Sequence, residues 1–342
     1  MKVIFDIVHP ADVLFFYHPI RILKKLGHDV LVTSRRKDVV AELLMDFNIE
    51  HISVSDAGSG VIGLACELIK RDVALLNIAR RETPDVMIGF GGVAISHVGT
   101  LLKIPSISFY DTETAPLQHA MTLPFISKMY VPECYTGRIA AGRTSYFPGQ
   151  KDFSYFHPDN FKADTKLAIK AGYKENSDNY FIRLVAWNAN HDIGKQGWDD
   201  KTLNKLVSLL SQRGTVHMSS EHSLPDNFNK YLYRGETNHI HHLLAHCKAY
   251  IGESATMAGE AVLLGVPAIC AANIKLGYTD KLEEHSLLWN IRDVNINAIE
   301  RCLGEIDKIT SKDWDHKFEN FMKGKVNLAN YIVDSILDYN RR

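Results

Sequence analysis

The sequence predicts an α/β protein built from two Rossmann-like parallel-sheet domains facing a cleft. Three observations lead there. The short apolar runs are continuous rather than alternating, as in strands buried on both faces. Segments of helical periodicity separate them. The pattern then restarts after a stretch rich in Pro, Gly, Asp and aromatic residues, at 147–164. At 342 residues and 46% hydrophobic, the chain is long enough for two such domains.

The elements follow in order. Residues 3–8 form a buried strand and 14–26 a helix, which Gly27-His28 closes. Strands are expected at 29–33, 49–54, 85–89, 106–110 and 128–131, with helices between. In the second half, 180–185 is a strand, 201–212 a helix and 215–218 a strand. A segment at 240–246, a strand at 249–251, a helix at 256–264 and a strand at 267–270 complete the pattern. The expected organisation is a first domain at 1–155, a linker within 147–164 and a second domain at 165–312, followed by a C-terminal helical segment at 313–342. Paired α/β units of this kind bind nucleotides where strand ends face each other.

The most informative segment opens at Gly252 and runs to Ile269. It is a strand end, a Gly/Ser/Thr turn and a helix N-terminus in succession. Backbone N–H groups and the helix dipole make a seat for phosphate there. Ser254 and Thr256 add hydroxyl donors. Glu260 lies one helical turn past Thr256, where its carboxylate can accept from a ribose diol. Spacing alone leaves a second reading open, in which Ser254 or Thr256 caps the helix of an ordinary α/β unit.

Composition excludes several classes. A net charge of −1 gives no footprint for nucleic acid. The sixteen histidines are scattered, and the five cysteines (Cys66, Cys134, Cys247, Cys270, Cys302) form no CxxC pair. No metal or other cofactor is therefore expected, and the cysteines read as reduced thiols of a cytoplasmic protein. Residues 1–9 read as a strand rather than a signal peptide, and no apolar span reaches the length of about 18 residues that crosses a membrane. Peripheral membrane contact and homodimer formation stay open.

The segment from Gly252 resembles the donor-nucleotide motif of B-type glycosyltransferases, including the transferase that completes lipid II, and of the UDP-sugar 2-epimerases. The resemblance implies that Ser254, Thr256 and Met257 meet the diphosphate and that Glu260 holds the ribose. It also implies that the closing helix, at 314–339, crosses back to the first domain. Residues 10–20, 26–35, 183–195, 219–225 and 254–267 together resemble the domain of unknown function 354 family, which is glycosyltransferase-B-like. That family often carries His just after the Pro of the first loop, where this chain has Asp12 and Leu14.

The remaining candidates fall at strand ends. His9 and Asp12 follow the first strand, and either suits a base that takes a proton from an acceptor hydroxyl. Helix capping by Asp12 and loop ordering by His9 are the alternatives. Asp111 and Glu113 follow the fifth strand and loosely match the acidic segment of the 2-epimerases, without its Ala-Gly-Leu-Arg continuation. The glycines of Gly89-Phe90-Gly91-Gly92 fit a tight turn. In the second domain Arg183, His191 and Lys195 can neutralise a diphosphate, and Ser219 and Glu221 can line its pocket. Arg183 equally fits an ion pair at the core edge. His239, His241 and His242 lack a carboxylate or Cys partner at metal-ligand spacing.

Three functions remain. The first is a metal-independent glycosyltransferase that moves a sugar from a nucleotide-sugar, a UDP-sugar by resemblance, to a glycan or lipid-linked acceptor in cell-surface polysaccharide or glycolipid synthesis. The second is a UDP-sugar 2-epimerase or nucleotide-sugar hydrolase on the same fold. The third is a nucleotide-sugar binding protein without catalysis. The transferase leads, because the donor segment is the fuller match and the epimerase acid segment is partial.

Overall fold

The computed structural model describes residues 1–36, 40–56, 58, 60–113, 115–186 and 197–340. The chain divides into two compact units, one made of Met1–Asn160 and the chain from Val326 onward, the other of Phe161–Lys325.

The first unit runs β1 (Lys2–Ile7), α1 (Pro10–Lys25), β2 (Asp29–Arg36), α2 (Val40–Asp46), β3 (Ile52–Asp56), α3 (Gly60–Glu82), β4 (Val86–Phe90), α4 (Val93–Leu102), β5 (Ser106–Phe109), α5 (Pro116–Thr122), β6 (Lys128–Pro132) and β7 (Thr144–Phe147). Its seven strands are ordered β3-β2-β1-β4-β5-β6-β7, and every neighbouring pair is parallel. Val3, Ile4, Phe5 and Ile7 of β1 are fully buried, which explains the unbroken apolar run there. Because β2 and β4 lie on opposite sides of β1, the loops leaving β1 and β4 diverge. A doubly wound sheet opens a crevice at such a point.

The second unit runs α6 (Thr165–Lys170), β8 (Asn179–Leu184), α7 (Asp200–Ser211), β9 (Thr215–Ser220), α8 (Ile240–Leu244), β10 (Ala249–Gly252), α9 (Ala255–Leu263), β11 (Ala268–Ala271), α10 (Gly277–Glu284), β12 (Leu288–Ile291), α11 (Ile296–Ile306) and α12 (Ser311–Met322). Its sheet is ordered β12-β11-β10-β8-β9, again parallel throughout. The loops leaving β8 and β10 diverge in the same way.

Three expectations are corrected. The first helix begins at Pro10, not at residue 14. Proline's fixed φ suits the first helical position, and His9 and Asp12 close a capping box around it. The expected linker at 147–164 is largely packed into the first unit. Phe147, Phe153 and Phe156 are buried, and Ser154 Oγ donates to the Phe15 carbonyl. The expected closing helix at 314–339 is two helices, α12 and then α13 (Leu328–Asn340). Between them Gly324 takes φ +75°, a left-handed conformation that ends a helix at little cost for glycine. Only α13 belongs to the first unit, where it packs on α1 and where Asn327 exchanges hydrogen bonds of 2.9 and 3.0 Å with Asn160. Among the described residues, no helix is long and apolar enough to cross a membrane.

Candidate functional site

In the second unit the candidate donor residues collect at the carboxyl ends of β8, β9 and β10. Register places Arg183 opposite Ser219 on the neighbouring strand. The Arg183 guanidinium donates to Ser219 Oγ at 2.7 Å and to the Glu221 carboxylate, which also accepts from the Ala186 amide at 3.0 Å. The core-edge ion pair allowed for Arg183 is therefore present, with Glu221 as its partner and Ser219 as a further hydrogen-bond acceptor.

Gly252 is required where β10 turns into α9. A Cβ there would meet the Arg183 carbonyl oxygen at 2.6 Å, so β8 and β10 pass too close for any side chain. Ser254 is the N-cap of α9, its hydroxyl accepting from the Met257 amide at 3.2 Å. Capping and anion binding are compatible, since the first turn of a helix presents several outward N–H groups and a cap takes one. Thr256 and Met257 are half-buried on that first turn. Glu260, one turn further on, is 5% exposed and accepts from His241 Nε2 at 3.0 Å.

The neighbouring histidines are each engaged differently. His239 faces Glu236 at 3.5 Å, and His242 accepts from the Asp164 amide at 2.9 Å while packing on Phe161. Among the described residues, no three His, Cys, Asp or Glu side chains gather into a group that could hold a metal ion. His191 and Lys195 lie outside the described residues.

Glu253, which composition and spacing did not single out, organises this edge. It is 2% exposed, and its two carboxylate oxygens accept from the Val185 amide at 3.0 Å and the Trp198 amide at 2.8 Å. One side chain thus ties the backbone on either side of the segment that follows β8. The only local signal was an acidic residue between Gly252 and Ser254 at a strand end. Replacing Glu253 with alanine leaves both amides without this acceptor, and the second unit is expected to lose about 2–3 kcal/mol of stability. Urea unfolding measures this, and a loss well under about 1 kcal/mol would remove the assigned role.

In the first unit, the capping box sits at the crevice beside β1. His9 is exposed and its Nδ1 accepts from the Ala11 amide at 3.2 Å. A neutral ring bonded in that way carries its proton on Nε2. Asp12 is 4% exposed, and its Oδ2 accepts from the amides of Val8 at 3.0 Å and His9 at 2.9 Å. Burial pushes its carboxyl up to about 7, against the opposing pull of those amides and of the Lys151 and Arg71 charges.

Gly91 and Gly92 follow β4 with φ of +76° and +66°, and Gly92 is the N-cap of α4. The left-handed backbone at both positions is what favours glycine in this turn. Asp111 is buried and meets Lys151 Nζ at 3.3 Å, with that ammonium 5.7 Å from the centre of the Phe90 ring. Glu113 is half-buried near Cys134, whose thiol is pushed up to about 12 by burial first and by the Glu113 charge second. The structure therefore gathers Asp12, Asp111 and Lys151 at one sheet edge. Lys151, like Glu253 in the second unit, is a group that sequence reasoning missed, having no local pattern around it.

Two parallel doubly wound units, each with its polar residues at a switch point, define a protein of the glycosyltransferase-B-like fold class. The chain belongs to the family described as Protein of unknown function (DUF354), whose model matches residues 1–318. No curated protein matches it by sequence. Among solved structures it is similar to the UDP-GlcNAc 2-epimerase of Neisseria meningitidis bound to UDP-GlcNAc, at 14% identity and a TM-score of 0.68, covering 99% of this chain and 100% of that one. It is similar to MurG of Acinetobacter baumannii at 13% identity and a TM-score of 0.61, covering 99% and 100%. A third similar structure is the spinosyn rhamnosyltransferase SpnG complexed with thymidine diphosphate, at 13% identity, a TM-score of 0.65, and coverage of 97% and 99%.

Proposed function

We propose that the protein is a metal-independent glycosyltransferase. It takes a sugar from a nucleotide-sugar, a UDP-sugar by its likenesses, and passes it to a glycan or lipid-linked acceptor in the synthesis of a cell-surface polysaccharide or glycolipid. The observation that carries this reading is the strand–turn–helix at β10 and α9. It offers a capped helix N-terminus for the diphosphate and a fixed carboxylate, Glu260, one turn beyond for the ribose. The solved structures that it resembles include proteins bound to UDP-GlcNAc and to thymidine diphosphate. In this reading Asp12 in the first unit takes the acceptor proton. The α9 amides, with His191 and Lys195 as counter-charges, meet the leaving diphosphate.

Epimerisation of a UDP-sugar at C2 is the second reading. It is favoured by the three carboxylates of the first unit, Asp12, Asp111 and Glu113, and by the epimerases among the similar structures. An epimerase needs acid–base groups on both faces of the carbon, and the Lys151 contact of Asp111 leaves that residue poorly placed for proton transfer. Incubation with a panel of nucleotide-sugars, with and without glycan and lipid-linked acceptors, separates the readings. Acceptor-dependent nucleotide release supports transfer. Conversion without acceptor selects the epimerase or hydrolase, and tight binding without turnover selects a binding protein. Activity is expected to persist in excess chelator. Loss of activity that magnesium or manganese restores would overturn metal independence.

A further inference from the structure

We propose that His241 is a positioning residue that fixes the Glu260 carboxylate for recognition of a nucleotide's ribose diol. The inference rests on the donor reading of Glu260 and adds the residue that makes it selective. His241 belongs to α8 and Glu260 to α9, two helices that flank β10 in the chain. Their side chains meet at 3.0 Å, Nε2 to Oε2, with His241 7% and Glu260 5% exposed.

A buried carboxylate needs a donor, and without one it turns toward whichever donor is near. The His241 N–H occupies one lone pair of Oε2 and sets the plane of the carboxylate. Lone pairs remain on both oxygens, and two hydroxyls held side by side on a five-membered ring are matched to a carboxylate whose plane is fixed. The neighbouring histidines do not share this task, since His239 turns to Glu236 and His242 to Asp164 and Phe161. The ligand class is a nucleoside diphosphate with both 2′ and 3′ hydroxyls.

Calorimetry with UDP and with 2′,3′-dideoxyuridine diphosphate tests this on the whole protein. The unsubstituted protein is expected to prefer UDP by about tenfold or more, the size of a hydrogen bond to a charged group. His241→Leu should shrink that preference to within about twofold while leaving dideoxy affinity unchanged, and Glu260→Ala should do the same. A role confined to stability would lower both affinities together. His241→Gln should retain the preference, because its amide N–H reaches the same oxygen.

A folded His241→Leu protein that keeps the preference while Glu260→Ala loses it would overturn the positioning role and leave the donor reading intact. An unsubstituted protein that binds UDP and its dideoxy analogue equally, or neither, would overturn the donor reading of Glu260 itself. Should His241→Leu fail to fold, 15N-histidine labelling of the unsubstituted protein decides. The His241 Nε2 proton resonance, assigned through His241→Gln, is expected to move with UDP and hold still with the dideoxy analogue. An equal response to both ligands would count against the proposal.

Discussion

Asp12→Asn is expected to lower turnover by roughly 100-fold or more while nucleotide binding stays near normal, the usual scale for loss of a general base. Asparagine is the informative replacement. Its amide oxygen can still accept from the Val8 and His9 amides, so the start of α1 survives while the proton acceptor is lost. The pH dependence follows from the carboxyl being pushed up to about 7 by burial. The base works ionised, so the rate should rise with pH through about 7 and level off above it.

Stability should move the opposite way. A carboxyl whose folded value lies above its ordinary 3.8 favours the folded state when protonated. That contribution is complete below 3.8 and is lost as pH rises through about 7. Asp12→Asn removes both slopes. Near-normal turnover in Asp12→Asn, and in alanine variants of His9, Glu113 and Asp111, would mean that the base lies elsewhere or that the reaction is of another type.

Glu260→Ala is expected to weaken UDP binding by about 1.5–3 kcal/mol, or roughly 10- to 150-fold. The structure adds a cost that spacing alone did not reveal. Truncation also removes one buried acceptor from His241, so the variant should be less stable as well as a poorer binder. Circular dichroism and a urea midpoint establish that the variant is folded, and calorimetry then measures affinity. Unchanged UDP affinity in the folded variant would remove Glu260 from the donor site.

Much of the site was legible because its signals are local. Gly252 before Ser254 and a helix start is a backbone pattern, and the capped N-terminus of α9 follows from neighbours in sequence. The start of α1 was equally local yet misplaced. Pro10 and Asp12 were assigned to a loop, although Pro at the first position and an acid at the third are helix-start signals. β7 was harder. Thr144-Ser145-Tyr146-Phe147 has only one buried side chain, and it becomes a strand by pairing with β6 at the sheet edge. The break between α12 and α13 turned on one glycine inside a pattern that otherwise continues.

By itself the sequence determined most of the strands and helices around the candidate site, and that the two sheets are parallel and covered on both faces. These depend on side-chain periodicity and on what glycine and proline allow within a few residues. The partners of the buried charges were decided only by tertiary structure. Glu260 meets His241 from 19 residues away, and Glu253 reaches Val185 across 68 residues and Trp198 across 55. Asp111 meets Lys151 from the far side of β6 and β7. A buried charge must be satisfied by whatever donor packing brings beside it, and chain spacing carries no record of which residue that will be.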